Sequence, residues 1–118
     1  MGLVVIDGIR DLMLDINNST EATKLVGDLM QWTSEQNIHI QTVLHLNKGD
    51  DNARGHIGTE LNNKAETVLQ ITKDNTMPER SIVAPSIIRS KPFEKFAFRL
   101  QEAEDEICIP QIDLSYSD

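Results

Sequence analysis

One cysteine, Cys108, is all the sulfhydryl chemistry this 118-residue chain carries. An internal disulfide and a cysteine-based zinc site are therefore both excluded, and a reducing cytoplasm suits the composition. No run of eighteen apolar residues occurs, and the opening Gly2-Leu3-Val4-Val5-Ile6 stretch meets Asp7 at once, which fits neither a membrane span nor a signal peptide. Positive charge is also scarce. Eleven Lys and Arg against nineteen Asp and Glu leave a formal net charge of −8, a poor balance for a surface that must neutralise phosphates unaided. No nucleophile-elbow sequence is present, and Cys108 in Ile-Cys-Ile reads as a buried, inert thiol. The Asp50-Asp51-Asn52 cluster lacks the spacing and the terminal Glu of a calcium-binding EF-hand loop. The expectation is one soluble, cytoplasmic domain over residues 1–118, with no membrane partner.

What is present is an α/β pattern. Residues 3–6 form a short, partly β-branched apolar run, predicting a strand buried on both faces of a parallel sheet. Such a strand needs neighbours on both sides, so further sequence ahead of it is expected. Asn18 followed three positions on by Glu21 predicts a capped helix start, and Ala22, Leu25, Val26, Leu29, Met30 and Thr33 fall on one helical face, leaving Glu21, Lys24, Asp28 and Gln31 outside. A second strand over 38–45 makes the unit a right-handed parallel crossover. Residues 47–58, rich in Gly, Asp and Asn, predict a loop; a short helix follows over 59–65 and a strand over 66–73. Strands over 81–89, 96–100 and 106–109 then suggest an antiparallel meander, with Pro85 marking an edge or a bulge. The acidic run Glu102, Glu104, Asp105 and Glu106 reads as a solvated turn, and the residues from Asp113 onward as frayed.

Candidate chemistry sits mostly at strand ends. Asp7 closes the first strand where open α/β sheets bind ligands, and four apolar residues followed by Asp make a Walker B pattern; a strand closing on Asp-Gly is equally an ordinary turn. His45, Asn47 and Lys48 follow the second strand, and a parallel neighbour brings His45 to the edge occupied by Asp7; the alternative is a histidine satisfied by a nearby carbonyl. Arg54 and Gly55 end the polar loop as an anion or nucleic-acid cradle. Arg89, Lys91, Lys95 and Arg99 surround a tight turn, either as a finger acting on a neighbouring subunit's nucleotide or as solvated charges.

Taken in order, Leu3-Val4-Val5-Ile6-Asp7-Gly8, Val43-Leu44-His45-Leu46-Asn47-Lys48, Arg54-Gly55-His56-Ile57-Gly58-Thr59-Glu60-Leu61 and Arg89-Ser90-Lys91-Pro92 resemble the later motifs of RecA-like P-loop ATPases. The groups concerned are plasmid RepA-type and DnaB-type hexameric helicases and the AAA-family ATPases of mobile elements such as mobilizable transposons. The resemblance implies a partial RecA-like fold, the C-terminal half of the core: a mainly parallel sheet with helices, ending in the antiparallel meander. It implies Asp7 as the Walker B carboxylate on the metal, His45 as the polar sensor, Asn47, Lys48, Arg54, Gly55 and Lys91 as nucleotide-side residues, and Arg89 as the trans-acting arginine. The Lys that family members carry two positions before that arginine is Ile87 here. No Gly-x-x-x-x-Gly-Lys-Ser/Thr occurs, and the family's catalytic Glu lies ahead of Walker B. The complete parent is thus expected to use Mg²⁺ and ATP, to assemble as a hexamer and to act on nucleic acid. This chain is expected to hold no cofactor tightly, to be inactive alone, and to form a homo-oligomer, a dimer when isolated. The alternative is a non-catalytic, self-associating module that keeps the ATPase scaffold and pairs through the Leu3 to Ile6 edge.

Overall fold

The structure, a computed structural model, describes residues 1–15, 17–45, 55–102 and 108–117. It is mixed α/β, with two helices and six strands among those residues, and it divides into two compact units, Met1–Ala65 and Glu66–Asp118. A two-stranded parallel sheet lies in the first unit and a four-stranded antiparallel sheet in the second, so four of the six strands are antiparallel.

In the first unit, β1 (Gly2–Asp7) pairs in parallel with β2 (Ile38–Val43), in the register Gly2↔Ile38 through Asp7↔Val43. The intervening helix α1 (Ser19–Gln36) is set by its ends. The Asn18 side chain accepts a hydrogen bond from the Glu21 amide at 3.0 Å, as the sequence predicts. The Glu21 carboxylate reaches further back than a reciprocal cap would, accepting from the Leu14 and Asp15 amides, which ties the incoming loop to the first turn. At the other end Asn37 takes the left-handed conformation at φ 50° and donates to the Thr33 carbonyl, a conformation that asparagine tolerates better than most residues. Asn18→Ala is expected to lower stability by about 1 kcal/mol, measured by urea unfolding at unchanged m-value.

Ala22, Val26 and Leu29 bury the predicted face of α1 against Ile9, Met13 and Ile57, with Ile6, Ile40, Leu44 and Leu61 packed around them. Met30, placed on that face by its spacing, is exposed, as is Trp32. Lys24 and Asp28 pair at 3.0 Å on the outer side, an exposed contact of small energetic value. The helix α2 (Gly55–Lys64) starts four residues earlier than its sequence suggests, so Gly55 to Gly58 are helical, with Ile57 and Gly58 buried.

The expectation that β1 is buried on both faces does not hold. Its only hydrogen-bonded neighbour among the described strands is β2, and Ile6 is its one residue packed on the core. Leu3 is 63% exposed and Val5 57%, on the side that also carries His39 and Gln41. Only Ile6 of the apolar run reaches the core to which α1 contributes.

The second unit runs β3 (Thr67–Lys73), β4 (Arg80–Ile88), β5 (Phe96–Glu102) and β6 (Cys108–Ile112) as a meander in that spatial order. Pro85 marks both features that proline allows in a sheet. The register steps from Val68↔Ile87 to Leu69↔Pro85, which leaves Ser86 as an extra residue, and β5 pairs only with Arg80 to Val83, so Pro85 lies beyond that ladder. The last strand ends later than predicted, at Ile112, and includes Pro110. Cys108 is exposed on this edge strand, which corrects its reading as a buried thiol. Glu104, Asp105 and Glu106 of the acidic run lie outside the described residues.

Asp113 to Tyr116 are also held rather than frayed, because Asp113 is buried and ion-paired. Arg80 donates from Nε and Nη2 to Asp74 Oδ2 at 2.8 and 2.6 Å, and from Nη1 to Asp113 Oδ2 at 3.2 Å. The other oxygen of each carboxylate accepts two bonds, from the Thr76 amide and hydroxyl on Asp74 and from the Ser115 amide and hydroxyl on Asp113. The Asp113 amide donates to Ala97, and Tyr116 places its ring 5.2 Å from the Arg80 guanidinium carbon.

Candidate functional site

The carboxyl edge of the β1–β2 pair is where the sequence-derived candidates meet. Asp7 is the last residue of β1 and stands exposed opposite Val43, the last residue of β2. The Asp7–Gly8 peptide is cis, and the chain then enters a single 3-10 turn, Ile9–Leu12, anchored by the fully buried Ile9. Beyond Val43, Leu44 packs on the core while His45 remains exposed, two positions past the register partner of Asp7. A partly buried apolar residue, Ile6 or Leu44, precedes each polar one, and the parallel register ends at Asp7↔Val43 with His45 two positions beyond it at the same end of the pair.

The other candidates are placed differently. Gly55 opens α2 with φ 64°, in the left-handed region that favours glycine. Asn47, Lys48 and Arg54 lie outside the described residues. Arg89 follows β4 directly, its amide donating to the Glu66 carbonyl at 3.1 Å, and Lys91 is exposed in the β4–β5 connection. Both belong to the second unit, whereas Asp7 and His45 belong to the first.

Two groups escape sequence reasoning. Arg10, three residues past the exposed Asp7 in the chain, has its Nε shielded from solvent with no hydrogen-bond partner among the described residues. Its only signal is a cation just after Asp-Gly. The Asp74, Arg80 and Asp113 cluster is the second, and its hydrogen-bond saturation marks it as structural. The two Thr76 bonds, then the Arg80 contact, hold Asp74 down at about 2, while the Ser115 bonds do most to lower Asp113. The same pairing raises Arg80.

No cluster of three or more His, Cys, Asp or Glu placed to hold a metal occurs among the described residues. No described helix is long and apolar enough to cross a membrane. Against known proteins, no family model, no curated protein and no solved structure matches the chain.

Proposed function

We propose that this chain is the later part of a RecA-like, DNA-associated ATPase core, from a replicative helicase or a mobile-element protein, and that it does not hydrolyse ATP alone. The observation that carries the reading is that Asp7 closes β1 at the carboxyl end of a parallel strand pair, with His45 two residues past the end of its neighbour, the place where α/β sheets bind ligands. The uncovered side of that pair supports it further, because parallel sheets are stable when covered on both faces.

In this reading Asp7 makes the protein's contribution to a Mg²⁺ that takes its remaining oxygens from water and the nucleotide; an exposed lone carboxylate suits that share. The ion neutralises charge on the transferred phosphoryl group. His45 senses the terminal phosphate from the neighbouring strand, and Asn47, Lys48, Arg54 and Gly55 line the nucleotide and DNA side. Arg89 and Lys91 act on the nucleotide of an adjacent subunit in a cytoplasmic hexamer. Donors for the phosphates come from a Walker A half that is not part of this sequence.

Calorimetry and a phosphate-release assay test this. The chain alone is expected to show no turnover. Joined to a Walker A-bearing half encoded upstream, it is expected to hydrolyse ATP, with Asp7→Asn cutting the rate by roughly a hundredfold or more. Tight Mg²⁺-ATP binding with turnover by the chain alone would falsify the reading. The exposed Leu3 and Val5 favour a second reading, a non-catalytic module that pairs through the β1 edge. Light scattering on Val5→Lys separates the two, since only edge pairing is lost with that change.

A further inference from the structure

The carboxyl end of the β1–β2 pair carries an arginine as well as Asp7 and His45. Past Asp7 the chain runs beside the end of β2, for a Cβ on Gly8 would lie 3.7 Å from the Val43 carbonyl oxygen. Ile9 and Met13 then enter the core against which Ile6 and Leu44 also pack. Two backbone bonds close the turn between them, from the Asp11 amide to Gly8 at 3.1 Å and from the Met13 amide to Arg10 at 3.0 Å. Arg10 therefore stands on a backbone pinned on either side by a buried residue, at the end of the pair where His45 emerges.

The side chain on that platform is partly buried, and its Nε is shielded from solvent without an acceptor. Arg80 and Arg99 are matched by contrast, Arg80 by Asp74 and Asp113 and Arg99 by Asp113 at 3.5 Å. Arg10 pairs with no carboxylate among the described residues, although Asp7 and Asp11 lie within three positions of it. A charged donor taken out of water without an acceptor is costly, and folded proteins leave few of them. An oxyanion fits this vacancy, because a guanidinium offers two parallel N–H donors to a pair of phosphate or carboxylate oxygens.

We infer that Arg10 is an anion-binding residue at this end of the sheet, with an oxyanion of the phosphate class as its ligand, free or at the end of a nucleotide. The assignment rests on reading that end as a ligand site, but not on ATP hydrolysis. Three residues separate Arg10 from Asp7, about 11 Å at full extension, so a cation on one and an anion on the other can belong to the same ligand.

Heteronuclear NMR of the arginine side chains in the full chain tests this, with pyrophosphate and ADP as probes in Mg²⁺-free buffer. The Arg10 Nε–H signal is expected to shift saturably in the millimolar range, while those of Arg80 and Arg99 stay in place. A response to both probes assigns phosphate itself, and a response to ADP alone assigns the nucleotide; either supports the site. Arg10→Met deletes an unpaired donor, so without a probe it is expected to fold at least as stably as the unaltered chain. It should bind the responding probe at least about tenfold more weakly and lose the rise in urea midpoint that the probe gives, read by Trp32 in the first unit. An Arg10 signal indifferent to both probes overturns the inference. So does a methionine variant that unfolds the first unit, or one that binds as tightly as the unaltered chain. A joined protein that fails to hydrolyse ATP while Arg10 still responds would sink the ATPase reading and leave the anion site standing.

Discussion

Replacing Arg80 with methionine is expected to abolish the cooperative unfolding transition of residues 66–118. The side chain fits the same space, but Asp74 loses its cation and Asp113 keeps only the half-exposed Arg99, at 3.5 Å. Removing one member of a buried ionic cluster is far worse than replacing all of it, because the uncompensated charges stay behind. The fork of Arg80 also joins parts of the chain that neighbouring ladders do not, linking the β3–β4 turn at Asp74 to the segment after β6 at Asp113. Arg80→Lys keeps the charge but not the fork, so it should fold with a lower midpoint. Tyr116 is the only tyrosine and Trp32 the only tryptophan, one in each unit. Near-ultraviolet circular dichroism and tryptophan fluorescence therefore report the two units separately. A methionine variant that keeps the native Tyr116 signal and midpoint would show the cluster to be dispensable.

Acid should act on the same cluster. Asp74 is held at about 2, below the ordinary 3.8, and Asp113 is lowered in the same direction. A carboxylate whose folded pKa is depressed contributes stability that is fully present above its unfolded value and is lost as pH falls through the folded one. The Tyr116 transition should thus weaken between about pH 4 and pH 2. Arg80, raised from an already high value, keeps its charge throughout that window. Chemical denaturation at a series of pH values checks this, and a midpoint flat across the window would contradict it.

Local signals were readable from sequence and long-range ones were not. The Asn18 cap, the apolar stripe of α1 and the strand ending at Asp7 each depend on residues within a few positions of one another, and the structure contains all three. The parallel pairing of β1 with β2 followed from the order strand, helix, strand. The bond between Arg80 and Asp113 spans 33 residues and has no periodicity to reveal it. A partial signal was nonetheless there. Asp74-Asn75-Thr76 and Asp113-Leu114-Ser115 both have the spacing in which an aspartate accepts from the amide and hydroxyl two residues on, so both announce an ordered turn. The exposure of Cys108 was hidden for a different reason, since an Ile-Cys-Ile run reads alike in an edge strand and in a central one.

Ile57→Ala is expected to destabilise the first unit by about 3 kcal/mol, within the 2–5 range for deleting most of a fully buried branched side chain. Composition gives little warning of this, for Ile57 is the sole large apolar residue between Leu46 and Leu61 and is flanked by His56 and Gly58. Physically its position explains the early start of α2. Gly55 supplies the left-handed turn into the helix, and Ile57 and Leu61, one turn apart, then face α1 together. With Ile57 wholly buried beside Ala22, Val26 and Leu29, the free energy of that contact draws residues 55–58 out of a glycine-rich loop and into the helix. The alanine variant should leave a cavity and also release the first turn of α2. Urea unfolding followed by Trp32 fluorescence should show the loss, and amide exchange of residues 57–60 should quicken more than that of 61–64. Loss of the predicted stability with uniform exchange along α2 would mean that Ile57 fills space without setting the helix start. Because α2 begins where the Arg54-Gly55 motif ends, that distinction decides whether core packing or a ligand fixes the candidate loop.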